Sequence, residues 1–131
     1  MSYRFEGLDH VQLAAPAGCE AQARAFFGAL FGWEEIDKPE PLRSRGGVWF
    51  RCGAHQVHVG VQADFVAATK AHPAFAVTNL EALRSHLAAN AVAVTDDDAR
   101  SQEAIVRFYV SDPFGNRLEF MERVPGSTAA P

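Results

Sequence analysis

The chain repeats itself, and the repeat limits what it can fold into. "DHVQLAA" at 9–15 and "AHPAFAV" at 71–77 each run His, two residues, an apolar residue, then alanine, with their histidines 62 positions apart. "QVHVGV" and "RLEFME" align as well, setting His58 against Glu119, 61 positions apart. Two offsets that agree to within one residue mark a duplicated unit. At 131 residues in all, the chain is long enough for one ordinary core or two small interlocked modules, and the duplication points to two modules.

Both copies follow one order: strand, helix, three strands. Residues 8–15 read as a strand. In 18–31, Ala23, Phe26, Phe27, Leu30 and Phe31 recur at helical spacing, and Gly32 is placed to end the helix. "WEEID" (33–37) reads as an edge strand, and "KPEPLRSRGG" (38–47) as a loop by its prolines and glycines. "VWFRC" and "QVHVGVQ" flank "GAH" as a hairpin. After a link at 63–71 the order restarts with "HPAFAV", a helix at 79–90 capped by Asn79, and "VAVTD". "AIVRFYV" and "NRLEFME" close the chain as a second hairpin around "SDPFG". The expected domain is 6–122, in modules of about 6–62 and 72–122, with a flexible tail at 123–131.

Side chains alternate faces along a strand, so parity assigns each residue to a surface. Val11 and Leu13, Phe75 and Val77, Val57, Val59 and Val61, and Leu118 and Phe120 form apolar faces. His10, His72, His58 and Glu119 all fall on the opposite face, beside alanines and a glycine that leave room. By the same rule Val48 and Phe50, and Val106, Phe108 and Val110, are core. Trp49 and Arg51, and Arg107 and Tyr109, then join the four, as do Gln12 and Gln56. Any one histidine on a strand is ordinarily structural, and any one glutamate solvated. Four at equivalent places of a duplicated unit suit a divalent Zn, Ni, Fe, Mn or Co ion, and the aromatic and basic neighbours suit a planar or anionic ligand.

Composition narrows the field further. With 48% apolar and 21% charged residues the chain is globular in type. A net charge of −4 without a basic stripe argues against nucleic acid. No apolar run approaches the ~20 residues a membrane span needs. The two cysteines, Cys19 and Cys52, form no CxxC, so reduced thiols and a cytoplasmic location are expected.

"GLDHVQLAA", "AHPAFAV" and above all "RFYVSDPFGNRLEFME" resemble the vicinal oxygen chelate superfamily, which includes glyoxalase I, extradiol dioxygenases, fosfomycin-resistance thiol transferases and bleomycin-binding proteins. The resemblance spans roughly residues 6–122. It implies an α/β (α+β) glyoxalase-like fold of two βαβββ modules, whose curved mixed sheets surround a concave site. It further implies metal ligands at His10, His58, His72 and Glu119, with His58 and Glu119 as catalytic groups. Gln12, Trp49, Arg51, Gln56, Arg107 and Tyr109 would line the substrate site. Glyoxalase I usually has glutamate where this chain has His58, and Gln56 is the fallback for that place. The implied activity is metal-dependent chemistry on a small molecule with adjacent oxygens, as lyase, isomerase, transferase or dioxygenase. The other reading is a metal-free protein that sequesters a drug or metabolite, as bleomycin-binding relatives do. A homodimer is expected because module edges need pairing.

Overall fold

A computed structural model describes residues 2–124. The chain divides into two compact units, Met1–Ala67 and Ala68–Pro131. Residues 125–131, most of the expected tail, lie outside the described residues.

The first unit holds β1 (His10–Ala15), α1 (Glu20–Ala23) continuing as a π-helical segment Arg24–Leu30, β2 (Glu34–Ile36), α2 (Glu40–Arg43), β3 (Val48–Cys52) and β4 (His55–Val61). Its sheet runs β1-β4-β3-β2, with β1 parallel to β4 and the other pairs antiparallel. The second unit holds β5 (Ala74–Ala76), α3 (Leu80–Ala89), β6 (Thr95–Asp97), a 3₁₀ turn Ser101–Glu103, β7 (Ile105–Ser111) and β8 (Arg117–Arg123). Its sheet runs β5-β8-β7-β6, with β5 parallel to β8. The two topologies are the same, which is the duplication read from the sequence.

The helical stripe packs as its spacing requires: Ala23, Phe26 and Phe27 are buried. The helix is not a plain α-helix, however. Phe31 N–H donates to Phe26 O across five residues, at 3.1 Å. That wider turn brings residues i and i+5 onto one face, and the Phe26 and Phe31 rings meet edge-on, 4.8 Å apart. Phe27, fully buried, contacts Trp33 and Phe50. The expected loop at 38–47 contains the short helix α2, started by Pro39 and Pro41. It ends on Gly47, where a Cβ would lie 2.1 Å from Val59 O. Only glycine admits that approach.

In the second unit α3 buries Leu80 and Leu87. Asn79 caps it through Ala82 N–H, and Glu122 accepts from Asn79 N–H and Leu80 N–H at 2.8 Å each. Two expectations shift. Val106 is 44% exposed and Ile105 is the buried residue, packed where its N–H reaches Arg100 O. The strand expected over "VAVTD" forms later, at Thr95–Asp97, because Asp97 pairs across the sheet with Arg107 and Asp96 with Arg84.

The "DPFGN" turn is a clasp. Asp112 accepts from the N–H groups of Phe114 and Asn116 and from the Asn116 side chain. Asn116 Oδ1 takes Ala68 N–H, and Arg117 N–H donates to Ala68 O. The turn thus ties the unit's first residue to its last strand. Burial pushes the Asp112 carboxyl above its usual range, against the bonds from Asn116.

Candidate functional site

In the first unit the singled-out residues form a stack. His58, only 4% exposed, lies parallel to Trp49 with ring centroids 3.6 Å apart and to His10 at 4.1 Å. β1 and β3 flank β4 on opposite sides, so the two rings cover opposite faces of the imidazole. His58 Nε2 meets Gln56 Oε1 at 2.8 Å. Burial first, and the neighbouring His10 second, hold the His58 pKa below its ordinary value. His10 Nδ1 lies 2.9 Å from Asp9 Oδ2. Arg51 is turned to β2, where it pairs with Glu34 at 3.0 Å. Gln12 lies over Gly60: a Cβ at Gly60 would meet its Nε2 at 2.6 Å.

In the second unit the group is polar. His72 Nε2 lies 2.9 Å from Glu119 Oε1, and its Nδ1 lies 2.8 Å from Lys70 O. Glu119 is 3% exposed, and Arg107 reaches its other oxygen at 3.4 Å. Arg107 also pairs with Asp97, and its buried Nε has no hydrogen-bond partner among the described residues. Tyr109 stands edge-on to His72 and carries Arg117 over its ring at 3.8 Å.

The registers superpose these groups. Gln12 pairs with His58 and Ala74 with Glu119 on the parallel side; Trp49 pairs with His58 and Tyr109 with Glu119 on the other. Among the described residues, no group of three or more His, Cys, Asp or Glu side chains is placed to hold a metal ion; the close contacts are His10 with His58 and His72 with Glu119.

A solved structure of a glyoxalase family protein from Bacillus anthracis is 52% identical to this chain, covering 94% of it and 99% of that chain, with a TM-score of 0.90. This chain belongs to the glyoxalase family. Lower identities carry the same fold: lactoylglutathione lyase from Agrobacterium tumefaciens (20% identical, 92% and 96% covered, TM-score 0.73) and the fosfomycin resistance protein FosX from Listeria monocytogenes (18%, 89% and 91%, 0.72). All fall in the vicinal oxygen chelate superfamily. No family model matches the chain, and no curated protein does.

The donor chemistry of this glyoxalase-family chain fits a divalent ion. Lys70 O can only accept, so His72 Nδ1 carries a hydrogen and Nε2 presents a lone pair in the neutral ring. Facing it is a carboxylate oxygen, a second acceptor. The contact is satisfied by a second ring proton or by a cation that both atoms ligate. Their 2.9 Å separation is about the edge between adjacent ligands of a six-coordinate ion with bonds near ~2.1 Å. A ring N–H held by a carbonyl or carboxylate is the usual support of a metal-bound histidine, and His10 has it from Asp9.

Some residues here escaped the sequence reading. Arg117 shared the parity of Glu119 but was not selected. Lys38 and Arg45, which border a cavity in the first unit, lay in a segment read only as a loop. Among the described residues, no helix is long and apolar enough to cross a membrane.

Proposed function

We propose that this chain is a metal-dependent enzyme acting on a small molecule with two neighbouring oxygens. The reading rests on the contact of His72 Nε2 with Glu119 Oε1 at 2.9 Å, with the other ring nitrogen already committed to Lys70 O. His10, His72 and Glu119 would hold the ion, and His58 is the fourth position. When bound, the ion stabilises negative charge developing on substrate oxygens.

The chain's own groups have distinct tasks. The Lys70 carbonyl and the Asp9 carboxylate orient the two histidines. Arg107 balances the charge of Glu119. With Gln56 Oε1 accepting from Nε2–H, neutral His58 carries its lone pair on Nδ1, the atom that can ligate or take a proton from a substrate carbon. In a homodimer, His10 and His58 of one chain would work with His72 and Glu119 of the other, giving two equivalent sites.

The test is metal analysis of protein purified without chelators or a histidine tag, followed by titration of the wild type and His72→Ala. One ion per chain in the wild type, lost in His72→Ala, is expected. No uptake by the wild type would overturn the reading in favour of a metal-free binding protein, and sedimentation as a monomer at micromolar concentration would remove the inter-chain arrangement.

A further inference from the structure

Beside the ring stack, the first unit has a cavity of about 250 Å³, bordered by Gln12, Lys38, Leu42, Arg45, Trp49 and Gly60. It is smaller than the ~300 Å³ at which pockets for drug-sized ligands begin, so its occupant is a small molecule. The floor is the open face of the sheet, where Gly60 has no side chain and the Gln12 amide occupies the space. The wall is the 38–47 segment, which Gly47 draws against Val59 O.

The charges here are unbalanced. Lys38 Nζ donates to Gly46 O, which holds the ammonium at the cavity while leaving it two further hydrogens. Arg45 has no acidic partner among the described residues, unlike Arg24, Arg51, Arg84, Arg100 and Arg107, which are all ion-paired. Neighbouring Glu20 lies outside the lining, with its Oε2 engaged by Gly47 N–H at 2.6 Å. The lining holds the two cations Lys38 and Arg45 and no acidic residue, which suits an anion. The remaining lining is apolar or aromatic, from Leu42 and Trp49.

We propose that this cavity is a carboxylate-recognising subsite for a small organic acid with a flat apolar body. The acid group sits between Lys38 and Arg45, its second oxygen within reach of the Gln12 amide, and the body lies against Trp49 and Leu42. The inference deepens the enzyme reading by giving the substrate class an acid end remote from its reacting oxygens. It rests on that reading only for the link to the reaction.

Titration of metal-free protein with benzoate, followed by amide NMR, tests the subsite. The backbone signals of Gly46 and Gly60 and the Gln12 side-chain signal should shift together. Loss of one charge-assisted contact should weaken binding roughly tenfold in Arg45→Met and in Lys38→Met, and benzamide should bind much more weakly than benzoate. Arg45→Met is the decisive variant, since the Arg45 side chain has no ion pair among the described residues and its backbone bond to Leu42 O survives the change. Unchanged benzoate affinity in Arg45→Met, or equal affinity for benzamide, overturns the subsite. His72→Ala should leave the benzoate titration intact while abolishing metal uptake, and Arg45→Met should leave metal uptake intact while weakening benzoate by that roughly tenfold factor. Metal uptake without benzoate binding therefore removes the subsite alone, and benzoate binding without metal uptake removes the metal reading alone.

Discussion

His58 occupies in the first sheet the register position that Glu119 occupies in the second. Each faces the alternate residue of a parallel edge strand, Gln12 or Ala74, and an aromatic residue of the antiparallel neighbour, Trp49 or Tyr109. The chemistry at that place differs between the copies: a stacked, neutral ring in one and a buried carboxylate in the other.

Exchanging the two chemistries is the most direct test. His58→Glu puts a carboxylate between His10 and Trp49, which costs stability in metal-free protein because a buried charge lacks a partner. Added Ni²⁺ or Co²⁺ should restore the melting temperature, since an ion that binds only the folded chain stabilises it. Thermal melts with and without metal check this, and an assay on a hemithioacetal shows whether glyoxalase-type isomerisation appears. A variant whose melting temperature does not respond to metal removes His58 from the ligand set.

The pH dependence of stability carries the same residue's signature. The folded state holds His58 below the ordinary value of 6.5, so the unfolded chain binds the extra proton more readily. Stability from this group is full above about 6.5 and falls as pH drops through the folded value. His58→Phe keeps a flat ring in the stack without a titrating group. Urea unfolding at pH 7.0 and 5.5 should show a smaller acid loss for His58→Phe than for wild type. An equal loss assigns the titration elsewhere.

Glu119 and Glu122 lie on opposite faces of one strand and separate binding from folding. Glu119→Gln should lower metal affinity by more than about a hundredfold, beyond the 10–100-fold typical of an outer partner of a metal ligand. Glu122→Gln should leave metal uptake unchanged and lower the melting temperature, because Asn79 N–H and Leu80 N–H lose their carboxylate. Those bonds hold the Glu122 pKa below its usual range, so their contribution is present at neutral pH and is lost as pH falls through the folded value. Calorimetry and metal titration of both variants decide the matter.

Gly47→Ala should be among the costliest single-methyl additions in the chain. The new Cβ would fall 2.1 Å from Val59 O at a φ of +88°, so the 38–47 segment must move from β4. Denaturant unfolding should show a loss of order 1–3 kcal/mol, the usual range for overpacking. A loss below half a kilocalorie would mean the segment shifts freely.

Much of this was legible in the sequence because duplication supplied an internal control. Agreement of the two offsets located the strands that carry His10, His58 and Glu119, while His72 precedes β5; the structure brings His10 to His58 and His72 to Glu119. Parity is blind to strand ends, which explains Val106: one face is covered only where a helix or turn lies over it. Periodicity is equally blind to helix type, since a π-turn and an α-turn bury the same Phe26 and Phe27. The pairing of Asp96 and Asp97 with Arg84 and Arg107 was out of reach because it depends on which strand lies next to which. Lys38 and Arg45 were hidden for another reason: a loop has no period from which to read direction.

The clasp at Asp112 and Asn116 bears on how such chains diversify. The DPFGN turn at the centre of the most recognisable stretch is spent on holding Ala68 against the last strand, through bonds to Ala68 and within the turn rather than to His10, His58, His72 or Glu119. A descendant can exchange its reactive side chains, or lose them altogether, and still present the same fingerprint. That fingerprint records ancestry of the scaffold, while the chemistry is free to drift around it.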